Sequence, residues 1–259
     1  MSKLVKYVNR HRQGGVYNFQ SLCGGKFMFK NVKTFVNLFT KEFPKLNFNN
    51  GVSLVFRPPK DCPCPFYLDL DLRGDTPIRI PETVLVNIAE ELLILLKNSL
   101  PPSDKVWHVV LTKRIASYYK RGTVQKFCSG FHILIPNLIL GVPAMMAFRK
   151  EALDDLDWFD MLQGYGITNP PDDILDIRVM RRQNGLVICG CNKPRKKEYD
   201  PSSPHYIFYI NGWNVGWSEP IQIRTYGWMF ENKTKHVLIL LVIGQNDDVE
   251  HTLVRVWIV

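Results

Sequence analysis

The spacing of hydrophobic residues changes several times along the chain, and each change predicts where a helix or a strand begins. Apolar residues recur at intervals of three and four at 33–44, 82–98 and 143–157, which predicts amphipathic helices. Short runs rich in β-branched and aromatic residues predict strands at 51–57, 66–72, 107–112, 131–136, 174–180, 186–190 and 205–210. Residues 1–25 follow neither pattern and are predicted to form a loop-rich segment.

The predicted helices and strands follow one another without the regular strand–helix–strand alternation that a parallel sheet requires. This order favours an α+β fold, in which helices pack on a mixed central β-sheet. No change of composition marks a domain boundary, so we expect one domain over residues 1–259, with its core at about 20–215. Residues 216–259 would then be a C-terminal extension or a truncated link, and 194–205 is the best candidate for an exposed loop.

Composition and charge narrow the class of protein. The chain of 259 residues is 46% hydrophobic and can bury a sizeable core, and its formal net charge of +9 favours an anionic partner such as nucleic acid. A basic, solvated surface without a partner is the alternative. The first residues lack the apolar stretch of a secretory signal, and the apolar run at 237–243 is far shorter than the roughly 20 residues of a membrane helix. We therefore expect an intracellular protein that does not contact membranes.

Two pairs of cysteines, at positions 62 and 64 and at positions 189 and 191, are each separated by one residue. Structural zinc sites usually separate paired cysteines by two to four residues, so this spacing is tighter than the usual zinc pattern. Small buried thiols are the alternative, and they suit an intracellular protein, in which disulfides are rare.

The strand predicted at 66–72, with the sequence FYLDLDL, contains the first candidate site. Side chains two residues apart in a strand share a face, so Asp69 and Asp71 point the same way as Tyr67, while the leucines point into a core. Two neighbouring carboxylates repel each other, and a divalent cation removes that conflict. Mg²⁺ is often held by one or two carboxylates together with substrate phosphates, so this pattern is typical of a phosphoryl-transfer site. Two aspartates facing water on an edge strand would give the same pattern.

Two other predicted strands carry polar residues that extend this candidate site. In GFHILIP, His132 shares a strand face with Gly130 and Leu134, where a histidine is either functional or a satisfied structural residue. In ILDIRVM, Asp176 shares a face with Arg178, which is also the pattern of an ion pair at a strand end. A single shared site explains the three segments better than three separate structural roles do.

These three segments, in this order, resemble the catalytic domain of the archaeo-eukaryotic primase superfamily, most closely the version in primase-helicases of large DNA viruses and related mobile elements. That superfamily has an apolar strand with Asp-x-Asp, a small-x-His strand and a third aspartate, which here are FYLDLDL, SGFHILIP and ILDIRVMRRQNGLVICGCNK. The viral proteins also carry a GGK-aromatic segment and a small-polar-lysine run, matched here by residues 24–27 and 190–193. The resemblance implies a primase-polymerase fold with an RRM-like catalytic core.

The resemblance also implies roles for individual residues and a cofactor. Asp69, Asp71 and Asp176 would bind the catalytic Mg²⁺ or Mn²⁺ ions. The nucleotide-binding residues would be Ser129, His132, Arg178, Arg182 and Lys193. His132 would contact the phosphates of an incoming NTP or dNTP, and single-stranded DNA would be the template.

The segment between the strands predicted at 107–112 and 131–136 is basic, aromatic and polar. Single strands are held by phosphate contacts and by bases that stack on aromatic rings. The residues of this segment that supply such groups are Lys113, Arg114, Tyr118, Tyr119, Lys120, Arg121 and Lys126. A plain solvated connection has the same composition, so contact with the template is one of two interpretations.

Two departures from the viral relatives bear on the function. Val187 occupies a position where those relatives usually have an arginine, so Arg181 or Arg182 would have to replace it. No G-x-x-x-x-G-K-[ST] loop is present, so a replicative helicase would act in trans or in a missing C-terminal region. We expect a DNA primase or primase-polymerase that starts or extends primers, in the host cytoplasm or nucleus if viral. The alternatives are a non-catalytic nucleic-acid-binding replication protein of the same fold and a metal-dependent nuclease.

Overall fold

A computed structural model of the chain describes most of its residues, and the following statements concern that part. The described residues are 3–12, 14, 19–21, 25–28, 54–57, 63–121, 124–187, 205–217, 237–239 and 256–258. Only the backbone is described at 4, 54, 115–121, 124–125, 136, 187, 205–210, 237–239 and 256–258. The helices are α1 (Lys3–Arg10), α2 (Glu82–Asn98), α3 (Val142–Asp155), α4 (Trp158–Leu162), α5 (Pro171–Ile174) and α6 (Ile177–Met180). The strands are β1 (Phe19–Ser21), β2 (Lys26–Phe27), β3 (Leu54–Phe56), β4 (Cys64–Gly74), β5 (Trp107–Arg121), β6 (Val124–Leu140), β7 (Leu186–Val187), β8 (His205–Trp213), β9 (Val237–Ile239) and β10 (Val256–Ile258).

The long strands β4, β6, β5 and β8 form, in that order, an antiparallel sheet at the centre of the fold. Strands β5 and β6 are consecutive in the chain, and they pair along most of their length as one long hairpin. The predicted loop between two short strands at 107–112 and 131–136 is therefore wrong, because the connecting residues continue both strands. Consecutive residues of a strand point to opposite faces, so Lys113 and Arg114 of this segment lie on different faces of the sheet.

The two long helices bury the face of β4 that carries its leucines. The helix predicted at 82–98 is confirmed as α2, and the helix predicted at 143–157 is observed as α3. The ring of Phe148 in α3 meets Phe66 of β4 edge-on, with 5.5 Å between ring centroids. At the end of α2, Ser99 Oγ donates a hydrogen bond of 2.6 Å to Glu151 Oε2 of α3, so the two helices are joined there.

A second four-stranded sheet, in the order β2-β1-β3-β7, packs beside the central sheet. The Phe56 ring of β3 contacts Tyr67 of β4 edge-on, with 6.2 Å between ring centroids. Arg57, which follows β3, donates from Nε to the carbonyl oxygen of Arg182 at 3.0 Å. Tyr67 and Phe66 are adjacent strand residues and face opposite sides, so this small sheet and helix α3 lie against opposite faces of β4.

Two segments differ from their predicted structure. Residues 3–10, predicted to be a loop, form helix α1. Residues 174–180, predicted to be a strand, comprise the end of α5, two connecting residues and helix α6. Pro171 occupies the first turn of α5, and the Asp176 carboxylate accepts a hydrogen bond of 2.8 Å from Arg178 N and caps α6. Helix capping takes the place of strand pairing, so Asp176 and Arg178 do not alternate on a sheet.

The predicted α+β class is confirmed, and every strand pairing among the described residues is antiparallel. The strands predicted at 51–57 and 205–210 are observed as β3 and β8, and β7 is the described part of the strand predicted at 186–190. The helix predicted at 33–44 lies outside the described residues. Within the described part of the chain, no helix is long and apolar enough to span a membrane.

Candidate active site

Two rows of residues cross the central sheet on the face that carries the aspartates of β4. The first row, from β4 through β6 to β5, consists of Asp69, His132 and Thr112. The second row, in the same order, consists of Asp71, Gly130 and Arg114. Directly paired residues of an antiparallel sheet share a face, so the two rows lie side by side. The register of three strands thus brings together the two segments FYLDLDL and GFHILIP.

Strand β4 separates its leucines from its aspartates. Leu68, Leu70 and Leu72 are at most 1% exposed, whereas the side chains of Asp69 and Asp71 are 17% and 29% exposed. The predicted alternation is therefore confirmed. A slip of one residue in the register would expose the leucines, so their burial fixes the side of the sheet to which the carboxylates point.

His132 contacts the carboxylate of Asp69 in the first row. The two atoms His132 Nε2 and Asp69 Oδ1 are 3.3 Å apart, and the histidine side chain is only 3% exposed. An ionised carboxylate can only accept a hydrogen bond, so this contact requires a proton on Nε2. The contact holds both groups on the site face.

The segment 168–176 covers the free edge of β4 and brings Asp176 to Asp69. The backbone N–H of Asp176 donates to the carbonyl oxygen of Asp69 at 3.0 Å, and Leu175 forms a β-bridge with Leu70. Among the described strands β4 is the last of the central sheet, so these contacts satisfy groups at its edge that no other described strand pairs. The third aspartate reaches the site through this edge contact.

Asn169 holds the beginning of the same segment on β4. Its Nδ2 donates to the carbonyl oxygen of Asp71 at 2.8 Å, and its Oδ1 accepts from the backbone N–H of Arg73 at 2.8 Å. The backbone N–H of Thr168 donates to the carbonyl oxygen of Arg73, also at 2.8 Å. The asparagine amide therefore pairs with β4 as the peptide group of a neighbouring strand would.

Arg149 of α3 anchors the segment from the other side. It is 7% exposed, and its Nε donates to the carbonyl oxygen of Leu175 at 3.0 Å. Its Nη2 donates to the carbonyl oxygen of Asp172 at 2.7 Å and to the Asp172 carboxylate at 3.2 Å. A buried guanidinium needs such acceptors to offset its lost hydration. Arg149 thereby positions Leu175, the residue that precedes Asp176.

The half-buried Asp176 carboxyl lies where a negative charge is disfavoured. Burial raises the pKa of Asp176, and the nearby charge of Asp69 raises this pKa further. Hydrogen bonds from the backbone of Arg178 and Val179 and the charge of Arg178 act in the opposite direction. The negative charge of Asp69 thus disfavours ionisation of Asp176, and a cation bound to both would relieve this repulsion.

Gly130 leaves a space between Asp71 and Arg114 in the second row. A Cβ atom at position 130 would lie 3.7 Å from Asp71 Oδ1, 3.8 Å from Arg114 Nη2 and 3.2 Å from the Leu70 carbonyl oxygen. The carboxylate and the guanidinium therefore both border the volume that a side chain would fill. On its own strand Asp71 also forms an ion pair with Arg73, with 3.6 Å between Oδ2 and Nη2.

The predicted nucleotide-binding residues are only partly brought together. His132 lies beside Asp69, and Arg178 is exposed next to Asp176, whose carboxyl feels its charge. Ser129 pairs with a leucine of β4 and is buried on the leucine face, where its Oγ donates to a backbone carbonyl of β5 at 3.4 Å. Strand alternation therefore separates Ser129 from His132.

Arg182 lies inside the protein at the Tyr67 end of the site face. It is 1% exposed, and its Nη2 is 3.2 Å from Cys64 Sγ. Burial raises the pKa of the Tyr67 phenol, and the positive charge of Arg182 partly opposes this shift. A guanidinium with almost no exposed surface cannot reach a nucleotide in this conformation. Lys193 lies outside the described residues.

The hairpin divides the residues that are predicted to contact a template. Arg114 belongs to the second row, whereas its neighbour Lys113 points to the opposite face, where Nζ donates to the Ile80 carbonyl oxygen at 2.8 Å. Lys126 forms an ion pair with Asp75. The structure describes only the backbone of Tyr118, Tyr119, Lys120 and Arg121, as the distal part of β5. Template contact by these four side chains stays a prediction.

The oxygen donors around Asp69 suit a hard divalent cation in their chemistry. Carboxylates are the ligands that Mg²⁺ and Mn²⁺ prefer, and the repulsion between Asp69 and Asp176 favours a cation there. Over the described ranges, however, no three Asp, Glu, His or Cys side chains are grouped closely enough to hold a metal ion. A carboxylate of Asp71 or Asp176 would have to rotate to complete such a group. Of the paired cysteines only Cys64, which is buried, lies among the described residues.

Arg149 and Asn169, which hold the third aspartate in place, were not predicted from the sequence. Asn169 precedes two prolines, a pattern that marks turns and could have drawn attention to it. Arg149 gives no local signal, because it resembles a solvated helix residue and its bonded partners are 23 and 26 residues away. Thr112, in the row of His132, was also not singled out, although it lies in a predicted strand.

Two aspartates on one strand of an antiparallel sheet, a histidine on the next strand and a third aspartate at the sheet edge make up the candidate site. Residues 18–204 match the family model described as the C962R protein N-terminal AEP domain, which covers more than half of the chain. The chain therefore belongs to this family of the archaeo-eukaryotic primase superfamily, whose members are generally nucleotidyltransferase-like. No curated protein matches the chain.

Proposed function

We propose that this protein is a DNA primase or primase-polymerase that joins nucleotides on a single-stranded DNA template. A 3′-hydroxyl, or the hydroxyl of the first nucleotide, attacks the α-phosphate of an incoming NTP or dNTP. The observation that supports this reaction most directly is the contact of Asp69 with both His132 and Asp176, in a chain of the primase superfamily.

The three aspartates are proposed to hold Mg²⁺ or Mn²⁺. When bound, these ions offset the negative charge on the attacking and leaving oxygens. Asp69 and Asp71 offer oxygens from one strand face, and Asp176 adds a third carboxylate from the edge. A bound cation would relieve the repulsion between Asp69 and Asp176 in the metal-free protein.

His132 and Arg178 are proposed to orient the nucleotide. The Nε2 proton of His132 points to Asp69 in this structure, and it becomes available to a phosphate oxygen when the carboxylate turns away. Arg178 is exposed beside Asp176, so its guanidinium is open to a phosphate from the solvent side. Positioning and charge neutralisation are the main contributions that proteins make to phosphoryl transfer.

The proposed partners of the reaction are a single-stranded template and a helicase. A net charge of +9 supports binding of a nucleic-acid strand through its phosphates. The distal part of the β5–β6 hairpin, with its basic and aromatic sequence, is the proposed contact for the template. A close relationship to viral primase-helicases, and with it a helicase in trans or in a further region of the protein, belongs to the same proposal.

A template-directed synthesis assay tests this function. The protein is incubated with single-stranded DNA, labelled NTPs or dNTPs and Mg²⁺ or Mn²⁺, and the products are separated by length. We expect labelled oligomers from the wild type and a loss of at least about a hundredfold in Asp69→Asn and Asp176→Asn. Asp154→Asn removes an exposed carboxylate of α3 and is the matched control, which should retain full synthesis.

The same assay separates the proposal from its alternatives. DNA that is shortened without added nucleotides would indicate a metal-dependent nuclease. DNA binding with neither product would indicate a non-catalytic nucleic-acid-binding protein. Equal synthesis by the wild type and by Asp69→Asn would refute the role of the carboxylates. Titration with Mn²⁺, followed by electron paramagnetic resonance, shows whether an inactive variant has lost its metal.

A further inference from the structure

We propose that Arg114 is a further substrate-binding residue of this site, with its guanidinium bound to a phosphate of the incoming nucleotide. The inference rests on the proposed function, because it assigns a residue to the same substrate. This role differs from the one predicted from the sequence, in which Arg114 belongs to a segment that contacts the template.

Arg114 is a buried arginine whose guanidinium lacks an acceptor among the described residues. It is 8% exposed, its Nε is fully buried without a hydrogen-bond partner, and no ion pair joins it to a described carboxylate. Arg149 is buried to a similar degree, yet two carbonyl oxygens and a carboxylate satisfy its donors. A buried guanidinium is unfavourable without acceptors, so the contrast indicates that Arg114 receives its acceptor from a ligand.

The space beside Gly130 gives such a ligand access to Arg114. Its Nη2 lies 3.8 Å from the position that a Cβ atom of residue 130 would occupy, and Asp71 Oδ1 lies 3.7 Å from the same position. His132 is two residues further along the same strand face, which corresponds to about 7 Å. A polyphosphate that contacts His132 can therefore extend across Gly130 to Arg114.

The phosphates of a nucleotide suit this position better than a template strand does. Template backbones follow exposed basic grooves, whereas Arg114 is 8% exposed and reaches only a phosphate that enters the site. The neighbouring carboxylate of Asp71 would repel a bare phosphodiester. Nucleotide phosphates arrive together with a divalent cation, which a carboxylate attracts.

Nucleotide binding in the absence of a template tests the inference without requiring catalysis. The affinity of the full chain for ATP with Mn²⁺ is measured by calorimetry in the wild type and in variants. We expect Arg114→Met to weaken ATP binding about ten- to a hundredfold, because charge-assisted hydrogen bonds to a phosphate are lost. Arg114→Lys should recover part of the affinity. Arg79→Met removes an exposed arginine and is the matched control, with unchanged affinity.

Two further measurements separate phosphate binding from other roles of Arg114. The affinity for single-stranded DNA should change by less than about twofold in Arg114→Met, as expected if this residue makes no template contact. The melting temperature of the nucleotide-free protein should not fall, since methionine removes a buried charge and keeps an apolar side chain. A structural arginine would give the opposite result.

Four outcomes of these measurements would contradict a phosphate-binding role of Arg114. Equal ATP affinity in a binding-competent wild type and in Arg114→Met would overturn it and leave the proposed function intact. A loss of DNA affinity with unchanged ATP affinity would assign Arg114 to the template and also overturn it. A clear drop in the melting temperature of Arg114→Met would identify a structural residue. A wild type that binds no ATP would overturn both this inference and the proposed function.

Discussion

Asp69 and Leu70 are neighbours on β4, yet their substitutions should have opposite effects on stability and synthesis. Leu70 is completely buried on the helix side of the sheet, whereas the Asp69 side chain is 17% exposed and faces His132. Removal of a buried leucine side chain costs about 2.7–5 kcal/mol, since the core loses apolar contacts and retains a cavity. We predict a loss of this size for Leu70→Ala.

Asp69→Asn should leave the stability of the metal-free protein nearly unchanged. The asparagine has the same shape and retains an oxygen that can accept a hydrogen bond from His132 Nε2. Weakening this hydrogen bond costs about 0.5–1.5 kcal/mol, and relief of the repulsion with Asp176 offsets part of that cost. We therefore expect a net change in unfolding free energy of less than about 1 kcal/mol, together with loss of primer synthesis.

Thermal and urea unfolding in the presence of a chelator measure both predictions. For a chain of this size each kcal/mol corresponds to about 2–4 °C, so Leu70→Ala should lower the melting temperature by roughly 5–20 °C. Leu68→Ala, on the same buried face, is the control and should behave as Leu70→Ala does. If Asp69→Asn destabilises the protein by several kcal/mol, the aspartate is a structural residue and the reasoning from the two faces of β4 is refuted.

Three further predictions concern the segment along the edge of β4. Arg149→Met should lower synthesis and stability together, because the Leu175 carbonyl loses its buried donor; unchanged activity in the synthesis assay would argue against a positioning role. Asp176→Asn keeps the helix cap but cannot ionise. Burial raises the pKa of Asp176, so the wild type loses stability as the pH rises from the ordinary aspartate pKa of about 4 through this raised value. The variant should therefore gain stability relative to the wild type over that rise in chelator, and a pH-independent difference would contradict this. Gly74→Ala would place a Cβ atom 2.1 Å from the Gly166 carbonyl oxygen, and we expect a loss of about 1–3 kcal/mol in urea unfolding; a neutral result would mean that the two backbones separate easily.

Helix α2 and the two faces of β4 could be predicted because their patterns are local. The helix follows Pro81 and repeats its apolar residues with the period of a helix, so neighbouring residues contain the whole signal. The alternation of leucine and aspartate in β4 has the strand period of two, and it places Asp69 and Asp71 on one face whatever the strand pairs with. The same alternation places His132 and Gly130 on one face of β6.

The extent of the β5–β6 hairpin could not be predicted in this way. Its distal part mixes basic, polar and aromatic residues without a regular alternation, so no hydrophobic pattern marks it as a strand. Composition alone grouped Lys113 with Arg114 as template contacts, although adjacent strand residues must face opposite sides. Strand pairing places Arg114 beside Asp71 and turns Lys113 toward Ile80.

The position of the third aspartate depends entirely on contacts between distant parts of the chain. Asp176 lies in neither a strand nor a long helix, and it reaches Asp69 because the segment 168–176 covers an edge of β4 that no other described strand pairs. Asn169 bonds to Asp71 across 98 residues of sequence. The local pattern of hydrophobic residues does not predict such contacts. They become favourable only when the folded sheet presents edge groups that need hydrogen-bond partners. The sequence alone thus determines which side chains could form a site. The pairing of distant segments determines that Asp69, His132 and Asp176 meet there.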